Sequence, residues 1–291
     1  MLGARFRPEV HAEEINDMID MLKRHFGERA RVNRGGTFRQ KESHGLITRA
    51  NYAYGMLRAA DLARFVGKRA VTVCEFGVAT GNGLMNMVEV AGLIRAETGV
   101  EVRVVGLDTG EGLPSIGDYR DHPELWSTGD FAMTNKEELR KRVAGRAELI
   151  FGDIEDTVDG FVDSLDESAP LGFVAVDVDI YSGTKSALRA LLGRAELYTP
   201  GVSMYCDDVR FFFANRWCGE LRAIEEFNEE SSMRKIDVDR SLADRPSKLD
   251  PWYQSMFVCH VLDHETRSKP RHREGLSIQD HYAFMKSCSL F

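Results

Sequence analysis

The stretch Val71-Thr-Val-Cys-Glu-Phe-Gly-Val-Ala-Thr-Gly-Asn-Gly-Leu-Met85 decides the fold. Val71 to Cys74 is a short apolar run that reads as a buried strand. The run ends on an acid, Glu75, and enters a loop carrying Gly77, Gly81 and Gly83. An apolar-periodic segment follows, with Leu84, Met87, Val88 and Leu93. Strand, glycine loop and helix in that order bring a nucleotide-like ligand against backbone and a helix N-terminus. Glycine suits such a loop because it tolerates positive φ and lets a ligand approach closely. A glycine-rich loop alone also fits an ordinary β–α turn, so the rest of the chain must decide.

Before this stretch, residues 9–27 read as an amphipathic helix with Val10, Ile15, Met18, Ile19 and Leu22 on one stripe. A polar loop follows, and a second helix is expected over 45–66. Residues 1–66 are thus expected to be an N-terminal helical cap or oligomer contact. After the stretch the pattern alternates. Strands are expected at 101–108, 148–151, 171–176 and 202–206, with helices at 135–144, 155–165, 182–196 and 219–230. Two last strands fit 235–239 and 255–261. Helix-length segments between strands mean parallel pairing through right-handed crossovers. The expected fold is α/β, a doubly wound, Rossmann-like, mostly parallel sheet of seven strands over 67–265. Residues 266–291 form a tail, and the polar run 264–274 reads as a solvated loop.

The bulk numbers fit a soluble globular chain: 291 residues, 43% hydrophobic and 29% charged. A net charge of −8 argues against a nucleic-acid partner, which needs a positive field. No apolar run approaches the roughly 20 residues of a membrane helix, and the N-terminus lacks the apolar core of a signal peptide. The cysteines at 74, 206, 218, 259 and 288 are odd in number and show no CxxC spacing. Cys74, Cys206 and Cys259 lie in apolar runs as buried thiols. A reducing cytoplasm without structural zinc is the expectation.

Ligands of an open parallel sheet bind beyond the carboxyl ends of its strands. In this chain those ends are acidic: Glu75, Asp108, Asp153, Asp177 and Asp207-Asp208. Helix capping accounts for one or two of them. It accounts poorly for adjacent aspartates after a buried strand, which repel unless a cation or proton intervenes. Glu75, Asp108 and Asp153 surround the glycine loop. An acid ending the second strand can accept ribose hydroxyls, in a nicotinamide dinucleotide or in S-adenosylmethionine. The loop reads G-x-x-x-G-x-G rather than the dinucleotide G-x-G-x-x-G. Glu75 would repel a pyrophosphate but attract a sulfonium and an ammonium, which favours S-adenosylmethionine. Asp177, Asp179, Asp207 and Asp208 form a second group. The strands carrying them are expected to neighbour the first strand. Asp177, Asp207 and Asp208 then make a hard-oxygen site suited to Mg²⁺, able to lower the pKa of an acceptor hydroxyl.

The motifs G-L-D-T-G-E-G-L-P (106–114), D-V-D-I-Y-S-G-T (177–184) and C-D-D (206–208), with the glycine loop, resemble the macrocin and mycinamicin sugar O-methyltransferases. That family resembles, more distantly, the metal-dependent catechol O-methyltransferases. The resemblance covers about 70–230, with three separated motifs in the same order. It implies a class I S-adenosylmethionine-dependent O-methyltransferase acting on a hydroxyl of a small molecule, sugar or natural-product-like. It implies Mg²⁺ on Asp177, Asp207 and Asp208, with Asp177 also the catalytic base. It places Glu75, Gly77, Gly81 and Gly83 at the methionine part of the donor, Asp108 at ribose and Asp153 near adenine. Val178 stands where the family usually has Gly, and the loop 115–133 has no match. An NAD-dependent oxidoreductase and a non-catalytic donor-binding protein are the rival readings. A homo-oligomer is the expected assembly.

Other residues carry expectations of their own. Tyr52 and Tyr54 are candidates for an acceptor pocket or for packing. His44 reads as a surface-loop histidine. His122 and Trp126 stand where a lid over the ligand would lie. Phe211-Phe212-Phe213 need burial by core, ligand or partner. Ser182 and Thr184 read as caps of the helix after the fourth strand.

Overall fold

The computed structural model describes residues 12–242 and 251–268. The chain divides into two compact units, Met1–Ile47 and Thr48–Phe291. In the first, α1 spans Ala12–Gly35 and α2 spans Phe38–Ser43. Helix α2 lies inside the expected polar loop. Its start is a capping box: the Gln40 N–H donates to the Thr37 hydroxyl at 3.3 Å, and the Thr37 N–H donates to the Gln40 side chain at 2.9 Å. His44 closes the same helix, its Nδ1 lying 2.8 Å from the Gln40 carbonyl.

The second unit holds a seven-stranded sheet: β1 Ala70–Phe76, β2 Glu101–Asp108, β3 Glu148–Phe151, β4 Leu171–Val176, β5 Tyr198–Cys206, β6 Arg234–Val238 and β7 Met256–Val261. Its order is β3-β2-β1-β4-β5-β7-β6. Strands β1 to β5 pair in parallel, and β7 runs antiparallel to both β5 and β6. The expected α/β, doubly wound, mostly parallel sheet is therefore present. One expectation changes. Of the two strands expected to neighbour β1, β4 pairs with it while β5 lies one strand further out. The strand order reverses between β1 and β4, the topological switch point where ligands of such sheets bind.

Strand β1 is buried on both faces, as a central parallel strand must be. Its alternation decides which side chain meets which layer. Cys74 and Phe76 join a core with Val158 and Phe161 of α6 (Ile154–Asp163), Leu188 of α7 (Tyr181–Leu188) and Phe227 of α8 (Gly219–Glu230). Val71, Val73 and Glu75 face the other way, toward α3 (Ala50–Phe65) and α4 (Asn82–Thr98). A fifth helix in order, α5 (Lys136–Val143), precedes β3, and α9 (Glu265–Ser268) follows β7.

Helix α3 corrects the expected boundary at residue 66. It packs on β4 and β5 and belongs to the sheet's unit, which begins at Thr48. Tyr52, Met56, Ala59, Ala60 and Ala63 are fully buried, so this helix cannot stand outside the core. The approach is close because small residues meet there. A Cβ on Gly55 would lie 2.3 Å from the Phe173 ring, and one on Gly172 would lie 2.7 Å from the Ala59 Cβ.

Cys74, Cys206 and Cys259 are buried free thiols, as expected. Among the described residues, no helix is long and apolar enough to cross a membrane. The 182–196 helix is shorter than expected, ending at Leu188 and continuing as 3-10 turns. Residues 265–268 of the expected solvated run are helical, and 269–274 lie outside the described residues.

Gly55→Leu should force α3 off Phe173. Overpacking of this kind costs about 1–3 kcal/mol, read as a lowered urea midpoint with an unchanged m-value. An unshifted midpoint would mean that the helix does not sit at this distance in solution.

Candidate active site

The glycine loop starts where β1 ends. Gly77, Gly81 and Ala79 hold positive φ values of 86°, 89° and 45°. Two of the glycines are fixed by contact as well. A Cβ on Gly77 would lie 1.7 Å from the Asp177 carbonyl oxygen, where the loop crosses the end of β4. A Cβ on Gly83 would lie 1.8 Å from Oε1 of Glu75. Gly83 is therefore the residue that lets the Glu75 carboxylate sit against the start of α4.

Glu75 is buried, with 1% of its surface exposed. The Tyr52 hydroxyl donates to its Oε1 at 2.7 Å. Its Oε2 is buried without a partner among the described residues. Burial, opposed by the Tyr52 hydrogen bond, pushes its pKa up to about 8, with Asp177 and Asp108 adding repulsion. Tyr52 thus supports the site from behind, with its own pKa raised by burial and by Glu75. Tyr54 goes elsewhere: it donates to Asp239 at 2.7 Å and packs near Trp252.

A cavity of about 390 Å³ runs along the carboxyl ends of β1, β2 and β4. Glu75, Gly77, Gly83, Asp108, Asp153 and Asp177 all line it, with Asp207 and Asp208. Gly81 does not line it; its absent side chain makes room for Leu139 of α5, whose Cδ1 would lie 2.3 Å from a Cβ there. Asp108 has a structural task besides. Its Oδ2 accepts the Val78 and Ala79 N–H groups at 2.7 and 2.8 Å, and its Oδ1 accepts from Gly110. It holds the glycine loop in shape from the neighbouring strand. Asp153 caps α6, accepting the Glu155 N–H at 2.9 Å.

The second acidic group lines the same cavity. One carboxylate oxygen each from Asp177, Asp207 and Asp208 lie within 4.8 Å of one another. Burial and the charges of Asp207 and Asp208 push Asp177 up to about 7. Burial and Asp179 do the same to Asp208, also to about 7. Asp179 sits in a left-handed conformation at φ 61°, lines the cavity, and rises to about 7 through burial and Asp177. The Tyr205 hydroxyl donates to Asp207. Three oxygen ligands with no histidine or cysteine match Mg²⁺ chemistry, and the raised pKa values record a charge excess that a divalent cation would relieve.

Several contributors gave no signal in the sequence. Glu220 of α8 is fully buried, and its Oε2 accepts the Asp208 N–H at 3.1 Å. Burial, Asp208 and Asp177 raise its pKa well above the carboxylate range. Arg49 and Phe131 also line the cavity. Trp126 lines it beside Phe131, at 5.7 Å between ring centroids. His122 does not line it. It is buried against Phe211, its Nδ1 2.8 Å from Glu124. Phe212 and Phe213 are 93% and 48% exposed, so among the described residues the core does not cover them.

The expected capping of α7 is also corrected. The helix is entered from Ile180, and neither Ser182 nor Thr184 caps it. Asp121 does so from the loop after β2, its Oδ1 accepting the Ser182 N–H at 2.8 Å. The Thr184 hydroxyl turns back to the Ile180 carbonyl at 2.9 Å.

No family model matches the chain, and no curated protein matches it. Solved structures do. The chain is similar to the calicheamicin methyltransferase CalS11 at 20% identity, covering 89% of this chain and 98% of that one, with a TM-score of 0.48. It is similar to the O-methyltransferase NovP at 16% identity, covering 72% and 79%, with a TM-score of 0.49. A third is the O-methyltransferase TomG of Streptomyces achromogenes, solved with SAM, at 16% identity over 72% and 79% with a TM-score of 0.38. At such identities the likeness is one of fold.

The buried acids set a pH dependence. Glu75 ionises near pH 4.5 when unfolded but near 8 when folded. Below about 4.5 both states are protonated and nothing is lost. As pH rises toward 8 the unfolded chain releases the proton first, so folding loses stability across that window and levels off above it. Glu75→Gln removes this term. Urea unfolding without ligands should show the parent losing more stability than the variant between pH 5 and pH 8. Parallel curves would place the Glu75 pKa in the ordinary range.

Proposed function

We propose that the protein transfers a methyl group from S-adenosylmethionine to a hydroxyl of a small molecule, with a divalent cation on Asp177, Asp207 and Asp208. The observation that carries this reading is one cavity lined by two differently equipped groups of residues. In one, a glycine loop meets a buried carboxyl group with an unpartnered oxygen. In the other, three carboxylates converge within 4.8 Å. The first group fits a cationic donor, because a positive charge beside Glu75 satisfies Oε2 and favours its ionised form. The second fits a hard cation, because its donors are all oxygen.

When bound, S-adenosylmethionine supplies the electrophilic methyl group, and Mg²⁺ supplies Lewis acidity toward the acceptor oxygen. The remaining work belongs to the chain. The glycine loop and Asp108 fix where the donor lies. Asp207 and Asp208, on the turn after β5, fix the acceptor's place relative to Asp177, just after β4. Asp177, with a pKa near 7, is suited to take the hydroxyl proton as the new O–C bond forms. Holding oxygen and methyl carbon in line supplies much of the rate. A sugar or natural-product-like hydroxyl is the proposed acceptor. The cytoplasm is the proposed compartment, and the buried free thiols support it.

The exposed rings of Phe212 and Trp217 favour a homo-oligomer. Sedimentation of the full chain as a monomer at micromolar concentration would remove that part of the reading.

Calorimetric titration with S-adenosylhomocysteine and with NAD tests the donor. Binding of the first and not the second is expected; the reverse would replace the reading with an oxidoreductase. For the metal, Asp207→Ala/Asp208→Ala should lose Mg²⁺ binding. Methyl transfer should fall roughly 100-fold or more, since a Lewis acid contributes several kcal/mol. Turnover that survives both this change and EDTA would exclude the cation.

A further inference from the structure

Among the described residues, Arg49 is the only basic one lining the cavity; the other charged residues around it are acidic. A guanidinium among carboxylates is expected to pair with one. Arg49 does not. Among the described residues its guanidinium has no hydrogen bond or ion pair, and it lies over the Tyr52 ring, 5.2 Å from guanidinium carbon to centroid. Its residue sits at the entry to α3 in a left-handed conformation, φ 51°, ahead of a helix that is otherwise buried. Its charge still reaches Glu75 and Asp177, lowering the pKa of both.

The same Tyr52 holds the opposite charge. Its ring carries the Arg49 guanidinium, and its hydroxyl holds Oε1 of Glu75 at 2.7 Å. Glu75 is 1% exposed and presents a buried Oε2 without a partner. One tyrosine thus holds a guanidinium without an ion pair and a buried carboxyl group with one oxygen left over, both lining a single cavity. Such a pair matches a ligand that carries both charges at one end.

We infer that Arg49 and Glu75 form a receptor for a zwitterionic amino-acid group, with Arg49 taking the α-carboxylate and Glu75 Oε2 taking the α-ammonium. Tyr52 is the positioning residue that keeps the two from closing on each other. The inference rests on the S-adenosylmethionine reading and extends it to the residue that recognises the carboxylate of the amino-acid tail. Guanidinium suits that task because its planar fork matches a carboxylate in two parallel hydrogen bonds.

The test uses the full chain and two adenosine thioethers. S-adenosylhomocysteine carries the amino-acid group, and 5′-methylthioadenosine lacks it. Calorimetric titration of the parent with S-adenosylhomocysteine tests the donor reading by itself. Arg49→Gln should then weaken S-adenosylhomocysteine ~10- to 100-fold, the loss of a charge-assisted hydrogen-bonded pair, while leaving 5′-methylthioadenosine unchanged. Arg49→Lys should recover part of the loss. A merely structural Arg49 would weaken both ligands alike, and that result overturns the inference. So does an Arg49→Gln chain that binds S-adenosylhomocysteine as the parent does, which would assign the guanidinium to an anionic acceptor instead. Thermal melting without ligand confirms that each variant is folded, and Tyr52→Phe, which keeps the ring and removes only the hydroxyl, gives a second variant with the same expected ligand discrimination.

Discussion

The site depends on one buried carboxylate and the space made for it. Glu75 ends the central strand on the face that meets α3 and α4, and nothing larger than Gly83 fits where its Oε1 lies. Isolated burial of such a group is costly, and Tyr52 offsets part of that cost with a hydrogen bond. The two residues therefore fix each other: the tyrosine must be inside, so α3 must lie on the sheet. That requirement extends to Gly55, Ala59 and Gly172, which allow the helix to come close enough. A buried acid at a strand end thus shapes the packing of a whole layer.

The acidic cluster follows a different logic. Asp177, Asp207 and Asp208 come from adjacent parallel strands, so the sheet alone brings their backbones together. Glu220 then fixes the turn from below through the Asp208 N–H. Four carboxylates in so small a region leave several groups near or above neutrality.

Much of this was legible in the chain. Buried parallel strands announce themselves as apolar runs, and their ends are where acids are informative, so β1 to β5 and the acids beyond them could be read directly. Other features were not local. Thr37 and Gln40 formed a readable capping box, but a short polar stretch gave no reason to look for a helix. Helix α3 looked like a cap because its apolar content does not say against what it packs. Asp121 caps a helix far along the chain, so no window around Ser182 contains the signal. Arg49 and Glu220 have meaning only through neighbours that the fold supplies. Asp108 was readable as a site acid, while its bonds to the glycine loop needed coordinates.

Asp121 ties two parts of the molecule with one side chain. Its Oδ1 receives Ser182 of α7, and its Oδ2 receives the Gly117 N–H at 2.8 Å. The loop after β2 is therefore anchored near its middle to the helix that follows Asp177. The wall residues Trp126 and Phe131 lie beyond that anchor in the chain, after His122 with its left-handed φ of 55°. One aspartate thus sets the spacing between a loop that walls the cavity and the helix that leaves its acidic strand end.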